Sequence, residues 1–322
     1  MITQRGFLIA ATSAAFMLAA AAGRAADAPF PERPVRLLVG FGAGGGTDVA
    51  ARLMAKFLTE TWGRSVLVEN KPGADGDIAT VEIARAKPDG YNLLVTTTSI
   101  AITPAQRKVG FDPYTSFEPI TLISSSPSLV VVHPSMPVRS VKQLIALAKA
   151  RPGWITFGSA GAGTVPYLAT ELFLQETGTR MVHIGYKGGG PAVIGILSGE
   201  TQLLFNSTAP LRPHVVAGKL RPIAVTSPKR LELYPDIPTM IENGFAGFDT
   251  KVWFAAFAPA QTPKDIIVKL NEDMVKAIRS PMVRETLEKQ GNTVEGSSAD
   301  ELAKLVRADF ARWSRVIKNI KE

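Results

Sequence analysis

Two stretches of the sequence share one order of features, and this repeat limits what the chain can fold into. In "LLVGFGAGGGTDVAARL", from residue 37, an apolar run leads into a glycine-rich loop, a threonine and an amphipathic helix; "WITFGSAGAGTVPYLATELF", from residue 154, repeats that order. Each stretch continues to a glycine-containing turn, a second apolar run and a lysine, 24 residues after Thr47 and 23 after Thr164. Strands that alternate with helices predict a parallel sheet covered on both faces. We therefore predict an α/β fold with two similar halves.

The first glycine loop taken alone indicates a dinucleotide-binding dehydrogenase. Gly40, Gly42 and Gly45 fit the G-x-G-x-x-G pattern, and Glu69 stands where that pattern places a ribose-binding acid. Asp48, however, would crowd a pyrophosphate, and one nucleotide site leaves the second loop unexplained. An oxidoreductase thus remains an alternative function.

Two glycine loops that feed helix N-termini favour anion binding. The first N–H groups of a helix lack partners within it, and glycines let a ligand approach the backbone closely. Hydroxyl groups at Thr47, Ser159 and Thr164 add directional donors. One such loop from each half predicts a clamp around a carboxylate ligand.

The first 28 residues have the features of a secretory signal peptide. A short apolar segment, "FLIAATSAAFMLAAAA", follows Arg5, and small residues up to Ala28 suit cleavage there. We expect cleavage near Ala28 and a soluble product in the periplasm. The chain has no cysteine, which excludes disulfides, thiol catalysis and cysteine-based metal sites.

The length and net charge of the chain further limit its domain number and its possible partners. With 322 residues and 46% hydrophobic content, two domains are expected. Changes in the pattern of predicted helices and strands indicate a first lobe from 29–128 plus 250–322 and a second lobe from 129–249. The net charge is +8, but the basic residues are scattered, whereas a nucleic-acid surface needs them clustered. We therefore expect no nucleic-acid partner.

The chain resembles the Bug-type extracytoplasmic solute receptors of tripartite tricarboxylate transporters. The resemblance runs nearly from end to end, through "GFGAGGGTDVAARL", "VLVENKPGADG", "KPDGYNLLVTTTS", "FGSAGAGTVPYLATELF", "YKGGGPAVIGILSGETQLLFNS", "AVTSPKRLELYPDIPTM" and "WFAAFAPAQTPKDI". It implies a two-lobed type II periplasmic binding protein with its ligand cleft between the lobes. It also implies a non-enzymatic monomer that binds an organic carboxylate without cofactor or metal and delivers it to membrane permease subunits.

The resemblance also assigns ligand contacts to positions of this chain. They are Gly45, Gly46, Thr47, Asp48, Thr97, Thr98, Ser159, Gly163, Thr164 and Tyr186. The chain departs from the family at Gly40-Phe41, where Pro-Phe is usual, at Tyr167, where His is common, and at Asn206, where Asp is common. An amide at Asn206 removes a negative charge near the cleft, which favours a plain di- or aromatic carboxylate over a ligand with an amino group.

An exported α/β hydrolase that uses Ser159 is the main alternative. Ser159 lacks the G-x-S-x-G elbow, and a histidine within reach of its hydroxyl would distinguish a hydrolase from a receptor. His133, His183 and His214 show no metal-ligand spacing, and each is interpreted as a loop or strand-end residue.

Overall fold

The computed structural model describes residues 30–246 and 248–321. The predicted signal peptide, residues 1–28, lies outside this range. From Arg33 onward the described chain forms one compact unit, and the following description concerns that unit.

Helices and strands alternate along most of the chain, as the apolar spacing predicts. The strands are β1 (Val35–Val39), β2 (Val66–Asn70), β3 (Asn92–Thr97), β4 (Phe117–Val132), β5 (Thr156–Ser159), β6 (Val182–Gly185), β7 (Leu203–Ser207), β8 (Arg221–Val225), β9 (Lys251–Pro259) and β10 (Thr293–Val294). The helices are α1 (Gly46–Trp62), α2 (Asp77–Ala84), α3 (Ser99–Gln106), α4 (Val141–Ala150), α5 (Val165–Thr177), α6 (Gly189–Leu197), α7 (Thr208–Val216), α8 (Lys264–Arg279), α9 (Pro281–Lys289) and α10 (Ala299–Lys321).

The strands form a mixed sheet, which corrects the expectation of a parallel one. Its order is β2-β1-β3-β9-β4-β7-β5-β6, and β8 and β10 also pair with β4. The strands within each repeated unit are parallel, as predicted. In contrast, β9 is antiparallel to β3 and β4, and β4 is antiparallel to β7 and β8. These antiparallel strands join the two parallel groups.

The long strand β4 runs from one half of the sheet into the other. Residues 117–127 pair with β9, whereas residues 128–132 pair with β7 and β8. The predicted lobe boundary at 128/129 falls beside this change of partner, while the strand itself continues across it. We call the elements around β1–β3 and β9 the first lobe and those around β5–β8 the second lobe; their sequence boundaries stay a prediction.

Alternate residues of β4 supply the cores on opposite faces of the second lobe. Val130 and Val132 pack with Phe157, Phe173 and other residues of one cluster. Leu129 and Val131 pack in the other cluster, below α6 and α7. Side chains of successive strand residues point to opposite faces, so one apolar run covers both sides.

A third core cluster lies in the first lobe. It contains Trp253, Phe257 and Leu302, so β9 packs beneath α10. Trp253 is therefore a core residue. No described helix is long and apolar enough to cross a bilayer.

Candidate functional site

A small cavity lies between the lobes, beyond the carboxyl ends of their strands. Its lining residues are Phe41, Gly45, Gly46, Thr47, Thr97, Ala160, Thr164, Pro166, Gly189, Asn206, Ser207, Val252 and Phe254. In open α/β sheets, ligands bind in the crevice at this end of the strands. The cavity is therefore the candidate ligand site.

Five helices begin at or beside this cavity. The lining includes residues at the starts of α1, α5, α6 and α7, and Thr97, which stands two residues before α3. None of the five N-caps, which are Gly45, Thr98, Thr164, Gly188 and Ser207, has a side-chain cap hydrogen bond. Each helix start carries about half a positive charge from its dipole. The cavity thus has positive potential although none of the described residues that line it carries a charged side chain.

Three lining hydroxyl groups are available to a ligand. Those of Thr47, Thr97 and Ser207 make no hydrogen bond with any part of the chain that the structure describes. Gly46 permits a close approach to Ser207, because a β-carbon there would lie 3.0 Å from the Ser207 hydroxyl of the other lobe. Ser207 was absent from the sequence prediction.

The Asp48 carboxylate is occupied within its own loop. Oδ2 accepts from the Gly44 N–H at 3.0 Å and from Arg52 Nε at 2.9 Å, and Oδ1 accepts from Asn70 Nδ2 at 2.9 Å. Burial acts to raise the pKa of Asp48, but these hydrogen bonds, that of Arg52 first, hold it below its ordinary value. Asp48 does not line the cavity. It stabilises the glycine loop through its hydrogen bond with Gly44.

Ser159 and Thr164 use their hydroxyl groups within the second loop. The Ser159 side chain is fully buried, and its Oγ accepts from the Gly161 N–H at 3.1 Å and lies 2.7 Å from His183 Nε2. Thr164 lines the cavity, but its hydroxyl donates to the Gly161 carbonyl at 2.6 Å. Both side chains therefore shape the loop.

His183 lies in a partly buried aromatic setting. Its ring centroid is 4.7 Å from that of Tyr167 and 4.9 Å from that of Phe157. Burial lowers the pKa of His183, while nearby Asp75 acts in the opposite direction.

Tyr186 and Asn206 are engaged with the second lobe. The Tyr186 hydroxyl donates to Glu200 Oε2 at 2.6 Å, and burial together with that hydrogen bond raises the pKa of Tyr186 to about 12. Asn206 lines the cavity, but its amide donates to the Gly189 carbonyl at 3.2 Å and accepts from the Ser207 N–H at 3.0 Å. Asn206 therefore holds the start of α6.

The remaining predicted residues do not line the cavity, although two of them, Thr98 and Gly163, adjoin lining residues in the sequence. The Thr98 hydroxyl accepts from the Trp253 N–H at 3.2 Å and ties α3 to β9. Gly163 permits a close interlobe contact, since a β-carbon there would lie 2.4 Å from Thr103 Cγ2. Glu69, the candidate ribose-binding acid, is paired with Arg36 at 2.6 Å.

The segment "YKGGGP" supplies the surface that faces the first glycine loop. The Gly42 N–H donates to the Lys187 carbonyl at 2.8 Å, and a β-carbon on Gly190 would lie 2.2 Å from the Ala43 carbonyl oxygen. The two repeated loops were predicted to face each other, whereas the first loop contacts this third glycine run. The three consecutive glycines of this segment are the sequence feature that indicates such a close backbone contact.

The cavity is nearly closed in this structure. Its volume is about 30 Å³, which is room for about two water molecules at most. An organic carboxylate needs more space, so the lobes must separate to admit one.

Comparison with known proteins identifies close relatives. The family model described as "Tripartite tricarboxylate transporter family receptor" matches residues 50–321. Protein BugT of Bordetella pertussis is 35% identical over 292 residues, which cover 90% of this chain and 90% of the relative.

Solved structures agree with that assignment. The periplasmic binding protein BugD is 34% identical with a TM-score of 0.88, over 91% of this chain and 99% of that one. Rpa4515 of R. palustris, solved with adipate, is 35% identical with a TM-score of 0.88, over 91% and 98% of the two chains. The α/β fold with two lobes and a cleft between them is thereby confirmed.

Proposed function

Because the chain belongs to the receptors of the tripartite tricarboxylate transporter family, we propose that it is a periplasmic solute receptor. It closes two lobes around an organic carboxylate and delivers that ligand to the permease subunits of the membrane transporter. The proposal includes cleavage of the signal peptide near Ala28, a monomeric receptor without enzymatic activity, and lobes bounded at 128/129 and 249/250.

The convergence of helix N-termini on one cavity carries this proposal. Five partial positive charges at helix starts suit one or two carboxylates. Hydroxyl donors at Thr47, Thr97 and Ser207 add hydrogen bonds to them. A binding mode without arginine or lysine also lets the ligand leave again, because no buried ion pair has to be broken.

The rest of the lining favours a ligand with an apolar middle. Phe41, Pro166, Val252 and Phe254 present hydrocarbon to the cavity. Asn206 has both its amide groups engaged, so it has no free partner for an amino group on the ligand. We therefore propose an aliphatic dicarboxylate or an aromatic carboxylate, and adipate, the ligand of the Rpa4515 structure, is the first compound to test.

A thermal-shift screen of the mature chain tests the proposal. The compounds are adipate, malate, terephthalate, benzoate, NAD and NADP, each at millimolar concentration. A ligand at 100 times its Kd stabilises the folded state by about 2.7 kcal/mol. We expect at least one carboxylate and neither nucleotide to raise the melting temperature. Stabilisation by a nucleotide that Gly45→Val abolishes would instead support a dehydrogenase.

The hydrolase alternative has one observation in its favour. Ser159 Oγ and His183 Nε2 are 2.7 Å apart, which is the contact that activates a serine nucleophile. Against it, the Ser159 side chain is fully buried, and no described carboxylate hydrogen-bonds the other ring nitrogen of His183. Turnover of p-nitrophenyl acetate by the parent protein and its loss in Ser159→Ala would establish the hydrolase; equal background rates would exclude it for this ester.

A further inference from the structure

The turn between β2 and α2 has an unusual backbone. Four consecutive residues, Gly73 to Gly76, have φ angles of 144°, 48°, 58° and 96°. Two of them, Ala74 and Asp75, carry a β-carbon, which makes positive φ unfavourable. Strain of this kind persists only where surrounding contacts hold the backbone, and it concentrates at functional sites.

Arg107 holds the turn in place from the end of α3. Its Nη1 donates to Asp75 Oδ2 at 2.9 Å, and its Nη2 donates to the Ala74 carbonyl at 3.0 Å and to Asp77 Oδ2 at 2.8 Å. The Asp75 side chain is only 13% exposed although it lies at the tip of a turn. Another part of the molecule must therefore cover it.

The second glycine loop covers Asp75. A β-carbon on Gly161 would lie 2.1 Å from Asp75 Oδ1, and one on Gly163 would lie 2.9 Å from Asp75 Cβ. Between these glycines, the Ala162 carbonyl accepts from Gln106 Nε2 at 2.9 Å. The first lobe thus contacts three successive residues of the loop that connects Ser159 to Thr164.

We propose that Asp75, Gln106 and their contacts with residues 161–163 form an interlobe clasp that positions the second glycine loop and prolongs the closed state. Asp75 is outside the lining of the 30 Å³ cavity and lines a neighbouring cavity together with Gly161 and Ala162. The effect on ligand release rests on the proposed function, whereas the effect on lobe closure does not.

Distance measurements on the ligand-free protein test closure by itself. Because the chain has no cysteine, spin labels attach only where cysteines are introduced. Leu67→Cys in the first lobe and Val216→Cys in the second use side chains that are 56% and 73% exposed. Electron–electron resonance then compares the labelled parent with Asp75→Gly/Gln106→Ala. We expect the double variant to lose most of the short-distance population; identical distributions would overturn the clasp.

Three further variants separate the contact from backbone strain and charge. Asp75→Asn keeps the size of the side chain and tolerates positive φ, so it should retain the short distances. Gln261→Gly relieves positive φ at a turn outside the clasp (φ 67°), and Asp89→Asn removes a first-lobe ion pair with Arg33; both should match the parent. A change in either control as large as that in the double variant would contradict the proposal.

Release of a bound carboxylate gives the second readout. In stopped-flow experiments with adipate, the Asp75→Gly/Gln106→Ala variant should release ligand about tenfold faster, the change that 1.4 kcal/mol produces. Equal release rates would overturn the clasp. If adipate and the other screened carboxylates fail to bind the parent, the proposed function fails, while the distance measurement still decides the clasp.

Discussion

Hydroxyl groups around the cavity fall into two sets. Those of Thr47, Thr97 and Ser207 are without partners among the described residues, whereas those of Ser159 and Thr164 are bound within their own loop. A free hydroxyl can donate to a carboxylate at once, while a bound one must first break an existing hydrogen bond. The first set should therefore contribute more directly to affinity.

Removal of a free hydroxyl should weaken binding without unfolding the protein. Thr97→Val and Ser207→Ala each remove one donor, and a hydrogen bond to a charged group is worth about 1.5–3 kcal/mol, or more than tenfold in Kd. Titration calorimetry with adipate measures this change. Ser135→Ala, whose hydroxyl contacts His133, is the control and should bind as the parent does. Parent-like affinity in both cavity variants would move the site elsewhere.

His183 should make folding stability depend on pH. Burial lowers its pKa in the folded state, so the folded protein binds fewer protons than the unfolded chain near the ordinary histidine pKa of about 6.5. The free energy of unfolding should therefore fall as pH decreases through that range. Urea denaturation between pH 7.5 and 5.5 should show a smaller decrease for His183→Gln than for the parent. An equal decrease in both would assign the pH dependence to other groups.

At the scale of elements, the glycine segments act by letting backbones meet. The first loop contacts the start of α6, and the second contacts the turn before α2. Side chains at these positions would hold the lobes apart. The glycines thus serve lobe closure as well as the approach of a ligand.

Gly45→Val should abolish ligand binding by this mechanism. Even a β-carbon at Gly45 would lie 3.3 Å from the Gly190 nitrogen and 3.4 Å from the Gly189 nitrogen, and valine adds two methyl groups. We expect the variant to lose the melting-temperature increase that carboxylates produce in the parent. Gly110→Val, in an exposed first-lobe loop, should keep that increase. Normal stabilisation of Gly45→Val would contradict the interlobe role of the loop.

The elements with regular apolar spacing were predictable from the sequence, and two others were not. Regular apolar spacing begins only near residue 128, with "SLVVV", but β4 starts at Phe117. Residues 117–127, "FEPITLISSSP", contain two prolines and three serines, and their partner β9 lies more than 120 residues further along the chain. Helix α3 is short and contains Pro104, so the sequence has no clear helical pattern there. Local patterns carry no information about such distant partners.

The site was predictable in its backbone and less so in its side chains. Gly45, Gly46, Thr47 and Thr164 line the cavity, and their contact with a ligand stays a prediction. Ser207 ends β7 and Phe254 lies within β9, and the position of both beside the loops depends on the strand order. Which hydroxyls are free depends on hydrogen bonds inside each loop, and a linear motif does not encode these.

At the scale of the whole molecule, β4 couples the two lobes. One strand supplies hydrogen bonds to β9 on one side of residue 128 and to β7 and β8 on the other. Separation of the lobes can bend this strand, but unfolding of either lobe removes partners from the other. Each lobe should therefore contribute to the folding stability of the other.

Calorimetry should show this coupling directly. We expect the mature protein to unfold in a single transition with equal calorimetric and van't Hoff enthalpies, as cooperative units do. Two resolved transitions would mean that the lobes unfold independently.

The place of β9 in the sheet also determines the order in which the chain can fold. This strand lies between β3 and β4, although both are synthesised well before it. The first lobe stays incomplete until residue 259 has been made, whereas β5, β6 and β7 can associate earlier. Sheets that depend on such distant pairing form slowly. In a newly made chain, the half of the binding cleft that the first lobe supplies therefore forms after the half that the second lobe supplies.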